Sequence, residues 1–211
     1  MPEQFVKIKH IVKYHLQRGC LRRDVDIDLV WQNKTMKQLS IYLVILCSFF
    51  ANSEELIFGK ETLTNGMNIV FEAAPKDIIF PKEYFLDENK TDIHIEMLIN
   101  WSDKSPPGSP NGGFIPYLDV SATIQNSKGK EINVKLTPHL NISDNLHYAQ
   151  NIQLPGTIDD LYDVTIYINP PKEGELGIHY DWKEKYGFLL KQNKFEYKNL
   201  SFNDIALKSR R

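Results

Sequence analysis

Asp92-Ile93-His94-Ile95-Glu96-Met97-Leu98-Ile99-Asn100-Trp101 is the stretch that decides the fold class. Ile93, Ile95, Met97 and Ile99 take every second position, with His94, Glu96 and Leu98 between them. A period of two sends successive side chains to opposite faces of an extended chain, so this segment reads as a strand with one apolar face. The other face carries an imidazole and a carboxylate two residues apart. Residues i and i+2 share a face, so His94 and Glu96 can share an ion.

Other segments follow the same pattern. Met67 to Ala73 is apolar and β-rich, and Leu161 to Asn169 alternates through Tyr162, Val164, Ile166 and Ile168 until Pro170-Pro171 stops it. Ile115 to Ile124, Glu131 to Leu136 and Phe195 to Phe202 complete the set. Between them lie turn-forming runs: Ser105 to Gly113, Asn126 to Lys130, Pro155-Gly156 and Pro170 to Gly177. No long helical period appears. Six or seven short strands with such turns predict an all-β chain, an Ig-like antiparallel β-sandwich.

The sandwich does not fill the chain. Met36-Lys37-Gln38 leads into an apolar run from Leu39 to Phe50, followed by Ala51-Asn52-Ser53 and the acids Glu54 and Glu55. A basic start, a short apolar core and a small-x-small triplet form a secretory signal peptide, with cleavage after Ser53. The run is shorter than the ~20 residues a spanning helix needs. Residues 1–35 then read as a non-native upstream extension, 36–53 as the signal peptide and 54–211 as the mature domain, with a frayed tail at Lys208 to Arg211. Both cysteines, Cys20 and Cys47, fall before residue 54. The mature chain would therefore lack disulfides, thiolate metal sites and cysteine nucleophiles, and must rely on its core for stability.

Net charge is −2, which gives no reason to expect nucleic acid or an anionic membrane as partner. There is no G-x-S-x-G, no H-E-x-x-H and no glycine-rich phosphate loop before a helix. What remains are four histidines in the mature part: His94, His139, His147 and His179. Any one of them is more often a surface or satisfied core residue than a ligand. Together with Glu96 they form a nitrogen-rich donor set suited to copper, zinc or iron rather than calcium or magnesium, provided the fold gathers them. Neutral imidazole is the ligand form, so affinity should fall below about pH 6.

Several motifs recur in an order that carries a resemblance. They are Asp92-Ile93-His94-Ile95-Glu96, Gly113-Phe114-Ile115-Pro116-Tyr117-Leu118, His147-Tyr148, Tyr162-Asp163-Val164-Thr165 leading to Pro170-Pro171, and Gly177-Ile178-His179, with Asn65-Gly66-Met67 as an opening. Over roughly residues 65–200 the chain resembles the periplasmic iron-transport accessory proteins, the family that includes the pathogen-specific membrane antigen lipoprotein. The resemblance implies a metal-binding protein, not an enzyme, although a redox role on iron is compatible with it. It would be a homodimer in the periplasm that supports ferrous iron uptake with an inner-membrane permease. Copper near the dimer interface, iron, or zinc in their place would be the bound ion. The family site uses three histidines and a methionine, with a glutamate nearby for a second metal or for iron. These map to His94, His147, His179 and Glu96.

Departures from the family are specific. Its methionine follows a Leu-x-Pro pattern, and here Leu136-Thr137-Pro138 is followed by His139. Either His139 replaces the methionine, or the alignment shifts to Leu140, which cannot bind metal. Imidazole in place of thioether weakens the preference for Cu(I). Leu98-Ile99-Asn100 stands where the family often carries an acid and a histidine, which argues against a second metal site. Ile78, Ile79 and Phe80 stand where a methionine-rich stretch is expected. Two competing readings remain: a secreted Ig-like interaction or adhesion module with incidental histidines, and a zinc hydrolase with Glu96 as base.

Overall fold

Strand β3, Ile93–Trp101, runs through the middle of its layer, where the alternation predicted it. Its partners are β2 (Met67–Ala74) and β6 (Asn145–Ile152), both antiparallel. Strand β1 (Leu56–Thr62) lies outside β2. The second layer contains β4 (Asp119–Asn126), β7 (Leu161–Asn169) and β8 (Asn193–Ser201). This is a computed structural model that describes residues 55–210. These lie in the compact unit Ser53–Arg211; the predicted extension and signal peptide lie outside the described residues. Among the described residues no helix is long and apolar enough to cross a membrane.

The strand order is β1-β2-β3-β6-β5-β4-β7-β8, and all neighbours are antiparallel. The β5 strand (Glu131–Asn141) is what turns one ribbon into two layers. Up to Leu136 it pairs with β4; from Thr137 it pairs with β6. The expected all-β antiparallel sandwich is present, with eight strands rather than six or seven. β1 and β6 are additional to the expected strands, and β5 extends beyond Leu136 to Asn141. The strand in fact runs on through Pro138, although proline donates no ladder hydrogen bond. Pro138 lies one residue beyond the point where the strand changes partners, already opposite Tyr148 of β6. The strand predicted from Ile115 begins only at Asp119.

The inner faces of the two layers form one core. Ile69, Phe71, Ile93, Ile95, Met97 and Tyr148 meet Val120, Ile124, Val164, Ile166 and Ile168. At its edge, β1 and β8 approach closely: the Phe58 and Tyr197 rings are 5.4 Å apart, and the Tyr197 hydroxyl donates to Glu61 at 3.0 Å. Phe71 is fully buried, so Phe71→Ala would cost about 3–5 kcal/mol. The Asn65-Gly66-Met67 motif also has a structural reason. Gly66 has φ +83, and a Cβ there would meet the Lys104 backbone at 2.6 Å.

Among the described residues two short α-helices stand after β7 and β8: α1 (Tyr180–Tyr186) and α2 (Asn203–Ala206). Beyond α2 the chain does not fray as the sequence suggested. Ser209 bridges Lys76 in parallel, the Ser209 hydroxyl bonds Glu88 at 3.0 Å, and Lys76 Nζ donates to the Ala206 carbonyl at 3.1 Å. That tail, with the loop from Asp77 to Leu86, covers the outer face of β3. Both faces of the strand are buried, which one period-2 pattern cannot reveal.

Candidate metal centre

Register assembles the site. On the outer face of the first layer, Glu72 of β2 sits opposite Glu96 of β3, His94 opposite Asn151 of β6, and His139 of β5 opposite His147 of β6. Because alternate residues share a face, four neighbouring strands point polar side chains to one side while their intervening residues fill the core. Tyr148 shows the alternation. Adjacent to His147, it turns inward, accepts the Leu118 N–H at 2.9 Å and donates to the Ile115 carbonyl at 2.9 Å.

His94, His139 and His147 each place a ring nitrogen within 4.8 Å of the others. Their exposures are 4%, 9% and 1%, and Glu96 is at 0%. The three histidines border a cavity of about 330 Å³ that Ile78, Ile79, Phe80, Phe85 and Arg210 also line. Glu96 Oε1 lies 3.5 Å from His94 Nε2 and 4.0 Å from His147 Nε2. Leu140, the alternative in the alignment, is 71% exposed at the edge of the same cavity.

The hydrogen-bond network fixes two of the imidazole tautomers. Asn151 donates through Nδ2 to the carbonyls of Asp77 and Leu86, at 2.9 and 3.0 Å. Its Oδ1 is therefore the acceptor facing His94 Nδ1 at 2.8 Å, and that nitrogen carries the proton. His147 Nδ1 faces the Asn145 carbonyl at 3.0 Å, which can only accept. Both rings thus turn an unprotonated Nε2 lone pair toward Glu96 and the cavity. His147 Nε2 is buried and has no hydrogen-bond partner. A metal ligand oriented by a partner on its other nitrogen has this arrangement. His139 is held by Thr137 Oγ1 at 3.2 Å and by a T-shaped contact with the Phe85 ring, the centroids 5.0 Å apart.

Electrostatics keep the rings neutral. Burial, with the neighbouring His139, pushes His94 down to about 3; burial, with His147, pushes His139 down to about 4. Burial also lowers His147. The acid loss of ligand capacity expected near pH 6 from ordinary histidine therefore moves well below that value. Burial has the reverse effect on Glu96: it holds the carboxyl well above the usual range, despite the lowering influence of Arg210.

His179 is not part of this cluster. It precedes α1, is exposed, and lines a separate groove with Trp182 and Ile178. Three residues at the site went unrecognised in the sequence. Asn151 gave no signal, because its role depends on the β3–β6 register. Glu72 did give one: a lone acid on the apolar strand Met67–Ala74. Arg210 was read as tail, yet its side chain is 15% exposed and bonds Glu55 and Glu96 at 3.1 and 3.0 Å.

Fold and site together define a class: an antiparallel β-sandwich whose outer sheet face carries a buried imidazole–carboxylate cavity. The family model described as Fe2+ transport protein matches residues 52–204, and the chain belongs to that family, one of transport proteins rather than enzymes. A UPF0423 protein of Brucella abortus (strain 2308) is 25% identical over 163 residues, covering 75% of this chain and 88% of that one. Among solved structures, a copper-bound glutamate-to-glutamine variant of FetP from uropathogenic Escherichia coli strain F11 aligns with a TM-score of 0.59 at 26% identity, covering 70% of this chain and 99% of that chain. A copper-bound methionine-to-isoleucine variant of Campylobacter jejuni P19 gives a TM-score of 0.60 at 27% identity, covering 69% and 96%.

Proposed function

We propose that this chain is a periplasmic protein that binds copper, iron or both in the cavity formed by His94, Glu96, His139 and His147, and that it supports ferrous iron uptake with an inner-membrane permease. The observation that carries this reading is the buried, unpartnered Nε2 of His147, on a ring whose other nitrogen is already committed. Leaving such a group unsatisfied costs about 1–3 kcal/mol, and a metal ion relieves it. The copper in the FetP and P19 structures supports copper as one ion, and the family supports iron as the cargo.

The donors fit these metals. Three imidazoles and a carboxylate without sulfur suit Cu(II), Fe(II), Ni(II) or Zn(II) better than Cu(I). Within one chain His179 stands apart from the other histidines. As a ligand it would have to come from a second copy, which agrees with a homodimer that closes the cavity. Convergence of three histidines in one buried place counts against incidental histidines on an interaction module.

Calorimetric titration with Cu(II), Zn(II), Mn(II) and anaerobic Fe(II), beside a His94→Ala/His147→Ala double variant, tests the reading. About one ion bound tightly per chain, and lost in the variant, is the expected result. Failure of the folded wild type to bind any of them would refute it.

A further inference from the structure

Asn151 does more than orient His94. It is 3% exposed, and its carboxamide holds three groups at once. Oδ1 accepts from His94 Nδ1 at 2.8 Å, and Nδ2 donates to the Asp77 and Leu86 carbonyls at 2.9 and 3.0 Å. Asp77 and Leu86 are the two ends of one segment. That segment lies against the cavity, where Ile78, Ile79, Phe80 and Phe85 face the same space as the three histidines. One buried side chain therefore joins an imidazole of the site to both ends of the loop over it.

The segment has the properties of a part that opens. No residue from Asp77 to Leu86 is buried, and Phe80 and Tyr84 are 75% and 77% exposed. The Tyr84 N–H bonds the Pro81 carbonyl at 3.2 Å and the Phe85 N–H bonds the Lys82 carbonyl at 3.4 Å, so the chain there makes its own turn. Sparse apolar burial puts such a segment at the low-stability end of a fold, from which lids are drawn. The strands beneath it are different in kind: His94 and Asn151 stand opposite each other in the β3–β6 ladder, and both are buried.

We propose that residues 77–86 are a lid over the metal cavity and that Asn151 is its latch, holding the lid more firmly when a metal ion sits on His94 Nε2. The inference rests on the metal-binding reading above. A cation on Nε2 draws electron density from the ring and makes Nδ1–H a stronger donor to Asn151 Oδ1. Hydrogen bonds in a chain polarise one another, so the carboxamide then donates more strongly from Nδ2 to both lid carbonyls. Linkage makes the effect reciprocal: the closed lid raises metal affinity by the factor with which the metal favours closure. A closed lid also keeps the apolar side chains of Ile78, Ile79 and Phe85 between the ion and solvent, so exchange of the ion waits for the lid to open.

The experiment uses the purified full chain, metal-free and saturated with Zn(II) or Cu(II), with binding checked by calorimetry. Amide hydrogen exchange of residues 78–86 is followed by mass spectrometry. In wild type either ion should slow this exchange about tenfold. In Asn151→Asp, which keeps the acceptor for His94 and loses both donors to the lid, saturating ion should slow it less than about twofold. Zn(II) is diamagnetic, so nuclear magnetic resonance can read the latch without any variant. The Asn151 side-chain amide protons should move downfield when Zn(II) binds, as their hydrogen bonds strengthen; an asparagine that only braces the loop would not respond. Exchange indifferent to a bound ion, unmoved Asn151 resonances, or equal protection in folded Asn151→Asp would overturn the lid alone. Failure of both ions to bind would overturn the lid together with the metal-binding reading.

Discussion

His139 and His147 stand opposite each other in the β5–β6 register, with ring centroids 6.1 Å apart. The pairing exists because β5 leaves β4 after Leu136 and continues beside β6. A residue that sequence alone left between two alignments becomes, through this corner, a neighbour of two other imidazoles. His139→Met keeps a donor in place but makes it soft. The ratio of Cu(I) to Cu(II) affinity should rise by about tenfold or more, measured by competition with chelators specific for each state. An unchanged ratio would remove His139 from the ligand set.

Asn151 touches the cavity only through His94. It fixes that ring's tautomer and also ties the Asp77 and Leu86 carbonyls to the sheet. Asn151→Ala should weaken Cu(II) binding about 10- to 100-fold, as loss of an orienting partner does. It should also cost about 1 kcal/mol in urea unfolding, because two half-buried carbonyls lose the Asn151 donor. Asn151→Asp, which keeps an acceptor for His94, should recover more of the affinity than of the stability.

The acid limit of binding follows from the lowered histidines. Protons compete for an imidazole only near its own value, and burial places His94 at about 3 and His139 at about 4. In Glu96→Gln, where the raised carboxyl no longer competes for a proton, Cu(II) affinity should therefore change little between pH 7 and pH 5, then fall steeply toward pH 4, as titrations across that range would show. A loss centred on pH 6 would mean solvent-exposed histidines.

Stability of the metal-free chain has two opposing slopes. A histidine lowered from 6.5 is less protonated in the folded state than in the unfolded, so its contribution falls as pH drops below 6.5. A glutamate raised from 4.5 binds more protons when folded, so its contribution is full below 4.5 and is lost as pH climbs. Glu96→Gln removes the second slope. The variant should be more stable than wild type at pH 8, by a margin that shrinks as pH falls to 4.5, read from urea midpoints without metal. An equal margin at both pH values would contradict a buried, raised Glu96.

Sequence by itself determined the strands whose period was clean. The alternation through Ile93, Ile95, Met97 and Ile99 fixed β3 and placed His94 and Glu96 on one face, because the side-chain period of a strand is two. It also presented the family motifs and a histidine, His139, directly after Leu136-Thr137-Pro138. Other features came only from the tertiary structure. β5 changes partners between Leu136 and Thr137, and that corner sets His139 against His147. The pairing of Glu72 with Glu96, the orientation of His94 by Asn151 and the reach of Arg210 into the cluster depend on which strands and which tail lie side by side. Local periodicity records the face a residue takes on its own strand. The neighbour it meets there is set by packing across separations of up to 155 residues, as between Arg210 and Glu55, and no local pattern records that.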